Sequence, residues 1–441
     1  MKLDKPVPQE PRKGIKMYLD DSFEKVRQFD PEMAALTMQE EERQMSTLNL
    51  IASENYASPL AAGLEGTIWA DKNAEGYPGG RFVAGCDLTD RVEELAKERI
   101  KKLFGCEYVN VQSYSATLGN VSILRALLKP GDKILSMELN QGGHLSHGAK
   151  FHYSGKQFES HFYGLNRETE VIDMDQVEQM ANEIHPQIII CGTSSYPRQV
   201  DYRRFGEIAK SVGAYMMADI AHPVGLIAAG VIPSPVPYAD VVSTSTHKTW
   251  RGARGCGIIM CKQELGKKID QAVFPGLQGA PKIDMIAARA VQALESMTPE
   301  FKAYGQKVYD NAQALADTLT EEGLRLVTGG TNTHLILVDV RNLIPTGKEA
   351  EAVLESVGMI VNKNFIPYDP QAANVTSGIR IGSPALTTRG MEEDGIREVG
   401  HLLAEALRNY QNPEALEGIK TRVSEIAGGY PLFDEKKWLA K

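Results

Sequence analysis

From about residue 100 the chain alternates short β-branched or apolar runs with helix-length amphipathic stretches, the pattern of a mostly parallel sheet wrapped by helices. The spacing predicts strands at 107–112 (EYVNVQ), 132–137 (DKILSM), 187–192 (QIIICG), 214–219 (AYMMAD), 240–246 (DVVSTST) and 255–261 (GCGIIMC). After 273–281 (VFPGLQGAP), which reads as a mobile loop, a helical stretch from about Lys282 to Met297 leads into a second unit. There the pattern predicts strands at 334–340, 359–364 and 378–383, and a final helix from about Gly390 to Tyr410. These boundaries place an N-terminal arm and helix at 1–59, a large α/β domain at 60–295 and a smaller C-terminal α/β domain at 296–441. No internal repeat is evident.

Composition narrows the class. The 441 residues, 42% of them hydrophobic, suffice for a substantial core and exclude disorder as the main state. With 48 Lys and Arg against 57 Asp and Glu, the formal charge of −9 argues against a broad grip on nucleic acid or anionic lipid. The five cysteines are too few and too irregularly spaced for a disulfide framework, so a reducing, cytoplasmic setting is expected. The polar, Pro-rich start MKLDKPVPQEPRKG reads as a flexible arm without a secretion signal. Ile220 to Ala239 carries no charge, yet its four prolines would break a spanning helix, so no membrane segment is expected. Neither G-x-G-x-x-G nor G-x-x-x-x-G-K-[ST] occurs.

Candidate chemistry gathers at a few places. Lys248, just after a predicted strand and before a Gly-rich turn, is placed to be desolvated into an imine-forming amine, although most lysines are simply solvated. Asp219 ends an apolar strand, where a carboxylate needs a cationic partner or serves as a cap; a protonated pyridine nitrogen, as in pyridoxal phosphate, is one such partner. Ser115, Ala116 and Thr117 open a helix where hydroxyls and free N–H groups would meet a phosphate, or where a serine merely caps. His144 and His147 lie three residues apart, but no third ligand is visible nearby, so no metal is expected. His222 and His247 read either as cofactor contacts or as core histidines. Arg380 comes from a strand of the second unit, with a planar fork suited to a carboxylate or to a structural ion pair.

Seven ordered segments, NLIASENYASP (49–59), NAEGYPGGR (73–81), GGHLSHG (142–148), DIAHPVGLIAAG (219–230), STSTHKT (243–249), VFPGLQGAP (273–281) and VTSGIRIGSPA (375–385), resemble those of the serine hydroxymethyltransferase family over about residues 30 to 410. The resemblance implies a fold-type I pyridoxal phosphate enzyme with a mostly parallel seven-stranded sheet, built as an obligate homodimer, with tetramer left open. It implies Lys248 as the imine-forming lysine, Asp219 on the ring nitrogen, His144 over the ring, and Ser194 and His222 near the ring hydroxyl. Ser115 and Thr117, with the partner's Gly276–Leu277 backbone, would hold the phosphate. Arg380 helped by Ser53 would bind the amino-acid carboxylate, Glu75 from the other subunit would handle protons, and Leu139 with Gly143, His144 and Leu145 would lie along tetrahydrofolate, the co-substrate.

The chain departs from the family pattern at Asn73, Phe82, Val83, Leu118, Leu277 and Ala372 to Asn374. The loss of tyrosines at 73 and 83 suggests an alternative: a specialised paralogue acting on α-methylserine, or a folate-independent β-hydroxy-amino-acid aldolase. Glycine is in surplus, with 40 residues, and many lie in these segments, as expected where backbone approaches a flat phosphorylated ligand.

Overall fold

The computed structural model describes residues 22–432, so the predicted amino-terminal arm lies largely outside the described residues. The strands, in chain order, are β1 (Leu48–Asn49), β2 (Gly76–Tyr77), β3 (Gly80–Arg81), β4 (Tyr108–Asn110), β5 (Lys133–Met137), β6 (Glu159–Tyr163), β7 (Ile188–Gly192) and β8 (Tyr215–Asp219). They continue with β9 (Val241–Ser245), β10 (Gly257–Cys261), β11 (Arg325–Leu326), β12 (Leu335–Asp339), β13 (Met359–Ile360), β14 (Asn362–Asn364) and β15 (Gly378–Gly382).

The large sheet has the order β4-β10-β9-β8-β7-β5-β6. The pairs among β5 to β9 are parallel, while β10 runs antiparallel to both of its neighbours. Strands β7, β9 and β10 are buried along their whole length and β8 everywhere but Tyr215, which accounts for the apolar runs of β7, β8 and β10. The seventh strand, β6, was not among the predicted segments. Its sequence ESHFY lies at the sheet edge, half exposed, and carries no such run.

The second unit is built on the antiparallel sheet β11-β12-β15-β14. The predicted strand 359–364 divides in two: Met359–Ile360 pairs in parallel with Leu48–Asn49, and Asn362–Asn364 joins β15. The predicted final helix is corrected as well. It spans Glu393–Arg408, and a further helix, Pro413–Gly429, follows it. Asn412 caps that helix by accepting the Ala415 N–H, and Ile419, Val423, Ile426 and Ala427 form its buried stripe. The segment 273–281 is a hydrogen-bonded turn rather than a loose loop, with the Gly276, Leu277 and Gln278 N–H groups donating to Gln271 and Val273 carbonyls.

One hydrophobic cluster gathers residues from Ala74 to Val308; a second gathers Leu48 and Leu50 with residues from Ala314 to Ala427. The helix Pro299–Glu321 gives Phe301 and Val308 to the first and Leu315 and Leu319 to the second, tying the two together. Among the described residues no helix is long and apolar enough to cross a membrane.

Candidate active site

The C-terminal ends of parallel strands are where a doubly wound sheet leaves a crevice, and Asp219 ends β8 there, only 8% exposed. Its carboxylate is held from three sides. Asn120, fully buried on the helix Ala116–Leu127, donates from Nδ2 to Oδ2 at 2.7 Å. His147 Nε2 lies 3.0 Å from the same oxygen, which can only accept, so that nitrogen carries the proton. The Ala221 N–H donates to Oδ1 at 3.0 Å. Burial alone would push the Asp219 carboxyl up, but the His147 hydrogen bond and the nearby imidazoles outweigh it and hold the group below the ordinary carboxylate range. Asn120 is itself oriented, since Ser243 donates to its Oδ1 at 2.5 Å and its amide also reaches Ser146 Oγ at 2.9 Å.

Lys248 lies in the connection from β9 to β10, half-buried, and its ammonium forms no hydrogen bond or ion pair among the described residues. Burial pushes it down to about 8; Asp219 opposes that shift, and the Arg380 and Arg254 charges add to it. Two clamps place the loop. Thr249 donates to the His222 carbonyl at 2.6 Å and accepts the Gly225 N–H at 2.8 Å, locking the segment after Asp219 against Lys248. Asn55 donates to the Lys248 carbonyl at 2.9 Å, drawing in the segment that carries Ser53.

Arg380 extends from β15 into the same neighbourhood. It donates to the Ser194 carbonyl at 2.7 Å, to Ser194 Oγ at 3.3 Å, to Ser53 Oγ at 3.4 Å and to Asn362 Oδ1 at 3.2 Å. It forms no ion pair among the described residues, and burial lowers it to about 10. Ser194 is held in turn by its N–H on the Gly142 carbonyl at 2.7 Å; Gly142 has φ 118°, a conformation that favours glycine.

At the helix Ala116–Leu127, Ser115 Oγ caps by accepting the Leu118 N–H at 3.1 Å, while the N–H groups of Ala116 and Thr117 and the Thr117 hydroxyl find no partner among the described residues. They remain available to an anion. Strand β10 can pass this close because Gly257 has no side chain: a Cβ there would lie 2.3 Å from the Ser115 carbonyl oxygen.

The histidines have distinct surroundings. His144 Nδ1 pairs with Ser146 Oγ at 2.7 Å, and burial lowers its pKa to about 4. His222 stacks on His334, with ring centroids 5.6 Å apart, and burial and the Lys248 charge hold it well below the ordinary histidine value. His247 sits beside Lys248 with Nδ1 buried and unpartnered, lowered to about 3 by burial and by Arg254. The third group missing from the His144–His147 pair in sequence is supplied by the fold: the ligand atoms of His144, His147 and Asp219 lie within 4.8 Å of one another. The His147 and Asn120 hydrogen bonds already engage Asp219 Oδ2 in that set.

Other predicted residues fall differently. No hydrogen bond or ion pair links Glu75 to Lys248, Asp219 or Arg380; it sits on the β2–β3 hairpin, where a Cβ on Gly279 would lie 3.5 Å from its Oε1. Arg81 fixes that hairpin by donating to the Ala74 and Gly76 carbonyls on either side of Glu75, anchored on Asp90 and the fully buried Glu93. Gly276 and Leu277, expected to reach the phosphate from a partner subunit, have their N–H groups donating within their own chain to the Gln271 and Val273 carbonyls, both at 3.1 Å. Val83, one of the two positions without the family's tyrosine, packs against the large core, and Asn73 accepts the Glu75 N–H at 3.1 Å. Leu139 and Gly143 to Leu145 line a tight turn on Glu138, with Leu145 exposed. Sequence reasoning missed Asn120, His334 and Asn362; Asn120 follows the Ser115–Thr117 helix start by three residues, but nothing local marks the other two.

An unpaired lysine with lowered pKa beside a charge-holding Asp, on a mostly parallel seven-stranded sheet, defines a fold-type I pyridoxal phosphate enzyme. The family model for serine hydroxymethyltransferase matches residues 26–403, and the chain belongs to that family. It is 49% identical over 413 residues, 94% of this chain and 99% of the relative, to the serine hydroxymethyltransferase of Myxococcus xanthus (strain DK1622).

Proposed function

We propose that this chain interconverts serine and glycine, passing the hydroxymethyl carbon to tetrahydrofolate, with the reacting amino acid held between Lys248 and Arg380. The observation that carries the reading is the convergence of an unpaired Lys248, the cradled carboxylate of Asp219 and an Arg380 without a counter-ion. An unpaired guanidinium beside Ser53 suits a carboxylate bidentately. Membership of the family, whose members use pyridoxal phosphate and folate, supports the same reaction.

The residues present fit pyridoxal phosphate. Asp219 would hold the proton on the ring nitrogen, His144 would lie over the ring, and Ser194 and His222 would face the ring hydroxyl. The open N–H groups of Ala116 and Thr117, with the hydroxyls of Ser115 and Thr117, would hold the phosphate. When bound, the cofactor supplies the electron sink for the carbanion left as the Cα–Cβ bond of serine breaks. Lys248, lowered to about 8, is roughly one-tenth neutral at pH 7, far more than an ordinary lysine, and can attack a carbonyl. Arg380 and Ser53 orient the amino acid by its carboxylate. Glu75, delivered by a second copy, would take up and return the proton of the substrate hydroxyl, and Leu139 with Gly143 to Leu145 would lie along the folate.

A homodimer would give cover to exposed apolar side chains such as Phe29 (93% exposed), Phe82 (74%) and Leu88 (63%). We keep the division into a large 60–295 unit and a smaller 296–441 unit, and a cytoplasmic setting supported by five buried, unpaired cysteines, within this proposal.

The test is direct. Borohydride treatment of the holoenzyme should fix the cofactor on Lys248, and serine should turn over only with tetrahydrofolate present. Turnover of α-methylserine in place of serine, or folate-independent cleavage of allo-threonine as the sole activity, overturns the reading.

A further inference from the structure

Arg289 is 2% exposed on the helix Ile283–Glu295, where its Nη2 donates to the Ser113 carbonyl at 3.0 Å. Its Nε and Nη1 are buried and have no partner. Among the described residues it forms no ion pair; Asp284, the buried acid on the same helix, accepts the Gly66 N–H instead. A charged guanidinium sealed from water with two donors unsatisfied is costly to maintain. No second subunit can reach those nitrogens from outside, because they are not at the surface.

The cost is compounded by position. Ser113 leads directly into the Ser115 cap and the start of the helix Ala116–Leu127, the positive end of a helix dipole. The guanidinium and the helix start thus stand two residues apart along one short segment, and among the described residues no carboxylate pairs with either. The Ser113–Tyr114 peptide is also gripped from both ends: its carbonyl takes Arg289 and the Gly257 N–H, and its N–H donates to Gln278 Oε1 at 3.3 Å.

We propose that Arg289 is a positioning residue for a phosphate monoester dianion at this loop, supplying the fixed charge that the bound cofactor's phosphate neutralises and stiffening the loop through the Ser113 carbonyl. The proposal rests on the assignment of the Ser115–Thr117 loop to the cofactor phosphate. The guanidinium acts through the peptide and not by direct contact.

The test compares pyridoxal phosphate with pyridoxal, which has the same ring and aldehyde but no phosphate. Both are titrated into the apoenzymes of the wild type, R289Q, which can still donate to Ser113 without the charge, and R289K, which keeps the charge. The visible absorbance of the adduct on Lys248 gives each affinity. At an effective dielectric of about 20 the lost charge should weaken pyridoxal phosphate binding about tenfold or more. Pyridoxal binding should stay within about twofold, so the preference for the phosphorylated form collapses in R289Q and persists in R289K. The increase in melting temperature on adding pyridoxal phosphate should shrink in R289Q in parallel, a readout independent of turnover. An unchanged preference in R289Q overturns the proposal; should R289Q not fold, R289M, which also lacks the charge, is titrated in its place and read the same way. A wild type that forms no borohydride-stable adduct on Lys248 instead refutes the site assignment beneath it.

Discussion

Asn120 offers the sharpest test of how the site is built, because it is fully buried and its side-chain amide is engaged at both ends, with Asp219 and Ser146 on Nδ2 and Ser243 on Oδ1. Replacing it with alanine removes a hydrogen bond to the charged Asp219, worth about 1.5–3 kcal/mol, and two neutral ones worth about 1 kcal/mol each. Asn120→Ala should therefore destabilise the protein by about 3 kcal/mol or more. Asn120→Asp keeps the shape but sets a second carboxylate against Asp219. At an effective dielectric of about 20 and a separation of about 4 Å, that repulsion amounts to about 4 kcal/mol. The sign follows from linkage. Asp219 is lowered in the folded protein, so its contribution is present above the unfolded carboxylate pKa and is lost as the pH falls through the folded value. Both variants raise the folded value, so acid loss of stability and of cofactor should begin at higher pH, and Asn120→Asp should be worse than Asn120→Ala at pH 7. Urea denaturation and the cofactor absorbance, each followed from pH 4 to 8, measure this. If Asn120→Asp retains wild-type cofactor affinity at pH 7, Asn120 does not set the charge on Asp219.

Four further outcomes are expected. Cofactor capture should accelerate as the pH rises through about 8, where Lys248 loses its proton, and Arg380→Leu should move that midpoint up by removing a positive charge; stopped-flow absorbance reads both. The same variant should raise the KM for serine about a hundredfold, the scale of a lost bidentate ion pair, with steady-state kinetics as the check. Gly257→Ala, whose methyl would sit 2.3 Å from the Ser115 carbonyl oxygen, should displace the Ser115–Thr117 segment and, if that segment holds the phosphate as proposed, weaken pyridoxal phosphate binding in an equilibrium titration. Glu75→Gln and Lys248→Ala, each inactive alone, should regain activity when unfolded and refolded together if Glu75 serves the partner's site; additive inactivity after mixing would place Glu75 in its own subunit's site.

The sequence by itself determined the elements whose signal is local. Strands β7, β8 and β10 were legible because they are buried on both faces over nearly all their length and are dominated by apolar residues. Lys248, Asp219 and Arg380 were legible because each stands at a strand end or strand interior where a charge is conspicuous, and the ordered motifs around them point to one family. Tertiary structure alone decided the rest. The edge strand β6 and the helix Pro413–Gly429 carry weak periodic signals that only their neighbours reveal. Asn120 meets Asp219 across 99 residues, and His334 meets His222 across 112. Arg289 gains its meaning from a carbonyl 176 positions away. Periodicity reports which face of an element is buried; which polar groups share that buried space, and which charges are left there unpaired, is set by packing between elements distant in the chain.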